Sequence, residues 1–589
     1  MEFHYTSEKN HQILIALLKK KGIRYIIASP GATNVSFLSS VQSDPFFKIF
    51  SSVDERSAAY IACGMAAERQ EPVVLSCTGA TASRNYYPGM TEAFYRKLPI
   101  IAVTSTQISS RIGQHVPQVL DRRQIANDVA LYSTTLPIVK DQEDFASCEA
   151  KVNEALIALT RKGGGPIHIN IETSYSRNYG VKELPTVREI HYHTYTDIFP
   201  EITASKVGIS IGSHVLMDRA LVESIEFFCK KYNAIVFCDH TSGYYGKYKV
   251  VGALIGSQKS LDLHSIEPEL VLHIGEVSGD YPSTRFYKGE VWRISEDGNL
   301  RDTFGKLSHL FEVAPKFFFD FYNKQTGTIS REQSYHQTVQ SLDSELRSKF
   351  PEVPFSNVWV AQQVIPLLPS GSSLHLGILN SLRAWNLFPL PQGVDGFSNV
   401  GGFGIDGGLS SCFGAALARP EKLFFIAIGD LAFFYDMNVL GNRHLGKNLR
   451  ILLFNNGVGT EFRNYNHRAA EFGEDADAFM AARGHYGNKS PLLVKHFAED
   501  LGFEYLSASS KEEFNEKYHA FVAPEIGNRP LLFEVFTDSQ NESDALEQIA
   551  NIKASKTLKT ANVVGNLIRE NLGNETFESL KGIAKKILH

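Results

Sequence analysis

Six cysteines, at positions 63, 77, 148, 229, 238 and 412, are scattered through 589 residues, and no two form a CxxC pair. That spacing argues against a disulfide framework and reads as buried free thiols in a reducing compartment. A charge excess is also missing. The formal net charge is −5, so the chain carries no electrostatic footprint for nucleic acid or an anionic membrane. No uninterrupted apolar stretch reaches membrane-spanning length, and the opening Met-Glu-Phe-His-Tyr lacks a basic region followed by an apolar core. A cytoplasmic location is expected. With 43% apolar and 21% charged residues, the composition is that of a soluble globular protein long enough for three domains.

Those domains show in the alternation of strand-like and helix-like runs, which predicts an α/β class with doubly wound parallel sheets. The first unit spans residues 1–190, with strands expected at Tyr25–Ala28, Val73–Ser76, Ile100–Thr104 and Ile167–Ile171. A polar segment, 181–196, reads as a linker. The second unit spans 200–330, with strands at Val207–Ile211, Ala234–Cys238, Leu270–Ile274 and Val291–Ile294. Its Gly208-Ile-Ser-Ile-Gly212-Ser213 segment lacks the GxGxxG spacing and a clear acidic partner, so this unit reads as a packing domain. The third unit spans 350–540, and a helical extension is expected over 541–589, with helices at 545–553, 561–572 and 577–588.

The third unit carries the most informative segment. The apolar run 422–428 predicts a buried parallel strand that ends in Gly429-Asp430-Leu431. A helix-like stretch, 435–444, and a second buried strand, Leu449–Phe454, lead to Asn455-Asn456. A right-handed crossover brings both strand ends to one edge of the sheet. A carboxylate and an amide oxygen then face each other, leaving octahedral positions for a carbonyl, water and substrate phosphates. The pattern reads as a magnesium and diphosphate clamp.

Gly-Asp-x followed by Asn-Asn resembles the cofactor motif of thiamine diphosphate enzymes, with Leu431 where many members carry a second glycine. The resemblance implies thiamine diphosphate and Mg²⁺ as cofactors, with Asp430, Asn456 and the Val458 carbonyl as metal ligands. It also implies a catalytic carboxyl group against the aminopyrimidine ring, which favours the imino tautomer that takes the thiazolium proton. Glu55, in Ser52-Val-Asp-Glu-Arg-Ser-Ala-Ala-Tyr60 at the start of a small-residue helix, matches that group. Further cofactor contacts are expected from Pro30 and Gly31 after the first strand, and from Thr78 and Asn85 in the loop 77–85. Asn380 and Ser381 are assigned to the diphosphate. Gly404 and Ile405 lie in the loop 397–408, where the family props the cofactor into its bent form, and Gly429 and Leu431 flank the metal carboxylate.

Two α/β units flanking a third is the pattern of the acetolactate synthase and decarboxylase branch, which implies active sites at a subunit interface in a homodimer or homotetramer. Gly113-Gln-His-Val-Pro-Gln118 resembles the acetolactate synthase segment whose glutamine reaches the reacting centre, so His115 and Gln118 are catalytic candidates. Thr33, Arg84, Thr460, Glu461, Phe462 and Arg463 are substrate candidates. The third-unit motifs look most like the menaquinone-pathway 2-succinyl-5-enolpyruvyl-6-hydroxy-3-cyclohexene-1-carboxylate synthase. That synthase binds substrate carboxylates through arginines, because a guanidinium fork matches a carboxylate. The matching positions here read Ala32-Thr33, Gln107 and Val400. At about 1.5–3 kcal/mol for each lost charged contact, a different acceptor is expected. The activity expected is decarboxylation of a 2-oxo acid and transfer of the acyl-anion unit to a carbonyl or enone acceptor. Simple decarboxylation is the alternative, hydrolysis of a cyclic dione a further one, and non-catalytic cofactor binding a reading of a different class.

Overall fold

The computed structural model describes residues 4–122, 125–325, 334–485 and 489–553. They fall into two compact units, Met1–Ile198 with Gly298–Glu312, and Phe199–Asp297 with Val313–His589. The expected helices at 561–572 and 577–588 lie outside the described residues.

In the first unit, β1 (Tyr25–Ala28), β2 (Lys48–Ser51), β3 (Val73–Cys77), β4 (Ile100–Thr106), β5 (Tyr132–Leu136) and β6 (Ile167–Glu172) form a parallel sheet of order β2-β1-β3-β4-β6-β5. Every residue of β3, β4 and β6 is buried, because crossover helices cover both faces of a parallel sheet. The segment expected as a linker contains β7 (His191–Thr194). Alternating His-Tyr-His-Thr has strand character that its polarity conceals.

The second unit holds β8 (Val207–Ile211), β9 (Ala234–Cys238), β10 (Lys249–Val251), β11 (Leu270–Ile274) and β12 (Glu290–Ile294), parallel in the order β10-β9-β8-β11-β12. The chain then returns to the first unit, where β13 (Leu307–Glu312) pairs in parallel with β7. Six more strands complete the second unit: β14 (Ser373–Leu376), β15 (Asp395–Ser398), β16 (Phe424–Gly429), β17 (Leu449–Asn455), β18 (Glu504–Ala508) and β19 (Leu531–Phe536). Their order is β15-β14-β16-β17-β19-β18, all parallel. Counted within each sheet, this is the same strand order as in the first unit, so three doubly wound parallel sheets are present. The last described helix, Ser539–Ala550, is capped by Asp538, starting six residues before the expected 545.

Two local features position the first unit's loops. The helix Glu55–Arg69 begins at Asp54, whose carboxylate accepts from the Arg56 and Ser57 amides, a normal N-cap. Its buried face is Ala58, Ala59, Ala62, Cys63 and Ala66, small enough for close approach of the helix Tyr87–Arg96. Contact is tightest at Gly89, where a Cβ would stand 2.4 Å from the Ala59 Cβ and 2.9 Å from its carbonyl carbon. Gly89→Ala is expected to destabilise the first unit by about 1–3 kcal/mol through overpacking, read as a lower denaturant midpoint at unchanged slope.

In the second unit, the Asp280 carboxyl is pushed up to about 7, chiefly by burial, with Asp239 adding repulsion and hydrogen bonds from Ser283 opposing both. A carboxyl raised in the folded state holds its proton there while the unfolded chain has lost it. Stability therefore falls as pH rises from about 4 to about 7. Asp280→Asn is expected to flatten that slope in denaturation series across this window.

All six cysteines are buried and free. Among the described residues, no helix is long and apolar enough to cross a membrane.

Candidate active site

In open parallel sheets ligands bind beyond the carboxyl ends of the strands, and each segment singled out from the sequence lies at such an end. After β1, Gly31 packs against the loop that follows β3. A Cβ at 31 would stand 2.4 Å from the Thr78 Cβ, so glycine is required for the two loops to meet. Thr33, 4% exposed, donates to the Ser105 carbonyl at 2.8 Å, shares a hydrogen bond with the Thr78 hydroxyl at 2.5 Å, and accepts from the Gly79 amide at 3.2 Å. Its hydroxyl thus ties the loops after β1 and β3 to the end of β4. Glu55, half-buried, accepts from Asn85 Nδ2 at 3.4 Å, so the carboxylate and one expected cofactor contact are adjacent.

Other first-unit candidates are less enclosed. His115 and Gln118 are exposed and both adopt left-handed backbone, with φ of 55° and 66°. Two such residues in one loop carry strain of the kind found at ligand-binding turns. Arg84 is exposed, donating to the Tyr87 hydroxyl at 2.6 Å and the Asp121 carbonyl at 3.2 Å. Gln107 accepts from Arg111.

In the second unit, β16 and β17 pair from Phe424 through Gly429, which brings Asp430 beside the end of β17. Asp430 is 4% exposed; its Oδ2 accepts from the Gly457 amide at 2.6 Å and its Oδ1 from the Leu431 amide at 2.7 Å. Burial pushes the carboxyl up to about 6 despite these bonds, the state of a buried carboxylate short of positive charge. Asn456 Oδ1 accepts only a 3.3 Å bond from the Val458 amide, and the Val458 carbonyl accepts at 3.4 Å from Thr460. One carboxylate, one amide oxygen and one carbonyl make a hard donor set that fits Mg²⁺.

The helix expected at 435–444 begins instead at Asp430 and runs to Asp436, followed by a 3-10 turn over Met437–Gly441. Gly429, extended at φ −77° and ψ 161°, ends the strand and caps the helix in one step, leaving no loop between them. The Asp430 carboxylate consequently sits in the first helical turn. The two asparagines divide their work. Asn455 donates to buried Glu534 at 2.6 Å, and Tyr505 donates to the other oxygen of that carboxylate at 2.7 Å. Asn455 thus ties β17 to the sheet, while Asn456 stands at its end. Asn455→Ala is expected to cost about 1–3 kcal/mol by orphaning a buried carboxylate oxygen, measured as a lower denaturant midpoint.

After β14, Leu379 takes φ 64° and ψ −117° immediately before Asn380, a strained turn for a residue with a side chain. Ser381 is buried and accepts from Asn357. Arg383 and Glu461 form a two-pronged ion pair at 2.6 and 2.9 Å. Glu461, expected as a substrate contact, is thereby engaged with Arg383, and both line a cavity of about 470 Å³ together with Tyr281, Arg285 and Phe403. Arg463 donates to the Gly473 carbonyl and lies 3.6 Å from Asp477, while the Phe462 ring packs edge-on to His467. Thr460 is buried; Ile405 and Leu431 are half-buried and Gly404 is exposed. Val400, 2% exposed, packs in the interior against Gly279.

The family profile described as thiamine pyrophosphate enzyme, N-terminal TPP binding domain, matches residues 9–125. The 2-succinyl-5-enolpyruvyl-6-hydroxy-3-cyclohexene-1-carboxylate synthase of Bacteroides fragilis is 30% identical over 564 residues, covering 92% of this chain and 98% of its own length. The chain belongs to this synthase family. The synthase of Phocaeicola vulgatus is likewise 30% identical, over 577 residues, with the same two coverages, and that of Flavobacterium psychrophilum is 28% identical over 552. Membership in the synthase family places the chain among thiamine diphosphate-dependent enzymes.

The sequence reading missed one group on the first-unit edge, Arg122, which is 4% exposed and whose Nη2 donates to Asn170 at 2.7 Å. In the run Asp121-Arg122-Arg123 nothing distinguishes it from a solvated charge cluster.

Proposed function

We propose that this chain is a carboligase that takes a 2-oxo diacid, releases CO₂ and transfers the remaining acyl unit to an enone ring acceptor, using thiamine diphosphate and Mg²⁺. The reading rests above all on two edge sites, one in each unit, Glu55 beside Asn85 and Asp430 beside Gly457, on sheets of the same strand order. The relatives' name adds the substrate class. Their product carries a succinyl group on a cyclohexene carboxylate, and a succinyl unit is what a five-carbon 2-oxo diacid leaves after losing CO₂. The identity of these full-length relatives favours an enone acceptor of that kind over the different acceptor expected from positions 33, 107 and 400. The bond formed is of the acetolactate synthase type, a 2-oxo acid carbon joined to an electrophilic carbon.

Asp430, Asn456 and the Val458 carbonyl would hold Mg²⁺, and Asn380 and Ser381 would donate to the diphosphate. Pro30, Gly31, Thr78, Gly404, Gly429, Leu431 and Ile405 would shape the walls around the rings. Bound thiamine diphosphate supplies the electron sink for the bonding pair left on the acyl carbon when CO₂ departs. Glu55 would hold and move a proton at the aminopyrimidine ring, oriented by Asn85. His115 and Gln118, on their strained loop, would meet the reacting end of the substrate. Thr33, Arg84, Thr460, Glu461, Phe462 and Arg463 would border it, Glu461 through its pair with Arg383.

A homodimer or homotetramer would complete each site. Val53, Tyr60 and Ile61, around the start of the Glu55 helix, are 77%, 48% and 46% exposed, an apolar face that a second copy of the chain would cover. Light scattering on the purified protein is expected to give twice or four times the chain mass, and a monomer at all concentrations would refute the assembly. Buried free thiols support a cytoplasmic location.

The activity itself is tested by CO₂ release from 2-oxoglutarate with and without a cyclohexadiene carboxylate acceptor, with mass analysis of the product. An acceptor-dependent adduct is expected. CO₂ with free aldehyde alone would establish the decarboxylase instead.

A further inference from the structure

The cavity of about 470 Å³ shared by Arg383 and Glu461 lies wholly within the second unit. It is large enough for one ring-sized molecule with its substituents. Its charges are already matched. Arg383 and Glu461 hold each other by two prongs at 2.6 and 2.9 Å, and Lys259 pairs with Glu547 at 2.5 Å. Arg285 spends Nη1 on the Gly256 and Gln258 carbonyls at 2.7 and 2.9 Å. An anionic guest would have to break one of these pairs or lie against the Glu461 carboxylate. The cavity therefore suits a neutral molecule.

Two amides narrow the choice. Asn386 is 1% exposed and Asn464 8%, and both line the cavity. The His240 backbone amide can only donate, so its 3.2 Å bond turns Asn386 Oδ1 towards it, and Asn386 Nδ2 is left without a partner. The Glu461 carboxylate can only accept, so its 3.2 Å bond turns Asn464 Nδ2 towards it, and Asn464 Oδ1 is left without a partner. The lining thus holds one idle donor and one idle acceptor, each costly while buried and unpaired. A hydroxyl both donates and accepts, whereas a carboxylate or a keto oxygen only accepts. A purely apolar ring would satisfy neither amide. The Arg383–Glu461 fork repeats the pattern, a donor and an acceptor side by side, as two adjacent hydroxyls require.

One wall is aromatic. The Tyr281 and Phe403 rings stand 5.9 Å apart at 58°, and both line the cavity. Phe403 holds a left-handed backbone, with φ of 55°, strain of the kind kept at binding turns. The C–H face of a saturated ring packs on such a wall while its hydroxyls turn to the polar side.

We infer that this cavity binds a neutral polyhydroxylated ring, a sugar or a cyclitol, with Glu461 and Arg383 reading a pair of adjacent hydroxyls and Asn386 and Asn464 reading others. Binding needs neither thiamine diphosphate nor Mg²⁺, so the inference goes beyond the carboligase reading and stands or falls apart from it. Glu461, there a border of the substrate, becomes a reader of hydroxyl groups.

The test is saturation-transfer NMR on the intact chain without cofactor, titrated with methyl α-glucopyranoside, myo-inositol and cyclohexanecarboxylate. Saturable binding of the glucoside or the inositol is expected, and the tighter of the two tells sugar from cyclitol. Glu461→Gln is expected to weaken that binding about 10- to 100-fold, the loss of a charge-assisted bond, and Tyr281→Ala to weaken it several-fold. Tyr281 is 59% exposed, so its variant carries the test if the glutamine variant does not fold. Binding of neither polyol would overturn the inference. Tighter binding of cyclohexanecarboxylate would make the cavity an anion site and overturn it too, as would polyol binding indifferent to both substitutions. A chain that binds the polyol through Glu461 yet fails to bind thiamine diphosphate supports the inference and sinks the carboligase reading alone.

Discussion

Glu55→Gln is expected to bind thiamine diphosphate as wild type does and to lose about 10²- to 10⁴-fold in turnover, the range for removing a positioned acid–base group. The amide keeps the shape and can still meet Asn85, which lies 3.4 Å from the carboxylate, so the loops after β2 and β3 should stay in place. What disappears is the capacity to give and take a proton at the ring. The bland alternative is that Glu55 is simply an acid in the first turn of a helix, worth about 0.3–1 kcal/mol against the helix dipole. Asp54 already caps that helix, which leaves Glu55 little structural duty. Cofactor titration and single-turnover kinetics on the same preparation distinguish the two, and unchanged turnover would remove Glu55 from the mechanism.

Asp430→Asn is expected to abolish Mg²⁺-dependent cofactor binding without unfolding the chain. Outer-shell partners of metal ligands are worth about 10- to 100-fold in affinity, and a direct carboxylate ligand should be worth at least the upper end of that range. Folding should not suffer in parallel. The carboxylate is 4% exposed and held by two backbone amides, one on each oxygen; asparagine keeps one acceptor oxygen and so one of these bonds, and the loss of the other is offset by removal of the buried charge's desolvation penalty. The variant's denaturant midpoint without ligand should therefore stay close to that of wild type, while the rise that Mg²⁺ and cofactor give wild type should be absent. A variant that still gains stability from the pair would show that Asp430 is not the metal carboxylate.

Strands were legible in the sequence because parallel strands covered on both faces must be continuously apolar. Val207–Ile211, Ala234–Cys238 and Leu270–Ile274 stand where the pattern put them. Gly429-Asp430 and Asn455-Asn456 were legible for a related reason: a polar pair closing an apolar run marks a strand end, and crossover handedness sends both ends to one edge. What the pattern hid depends on partners distant in sequence. Asn455 and Asn456 look alike until Glu534, 79 residues on, claims the first. Glu461 reads as a free acid until Arg383 pairs with it across 78 positions. Arg122 reads as surface charge because burial of a lone guanidinium leaves no periodic trace. β7 was missed because its histidines and tyrosine lack the apolar run by which the other strands announced themselves.

Calorimetric titration of thiamine diphosphate into the wild-type protein, with and without Mg²⁺, bears most directly on the whole account. Saturable binding at one equivalent per chain, strongly weakened when Mg²⁺ is withheld, is the expected result. Absence of binding at any Mg²⁺ concentration would contradict it, whatever the fold.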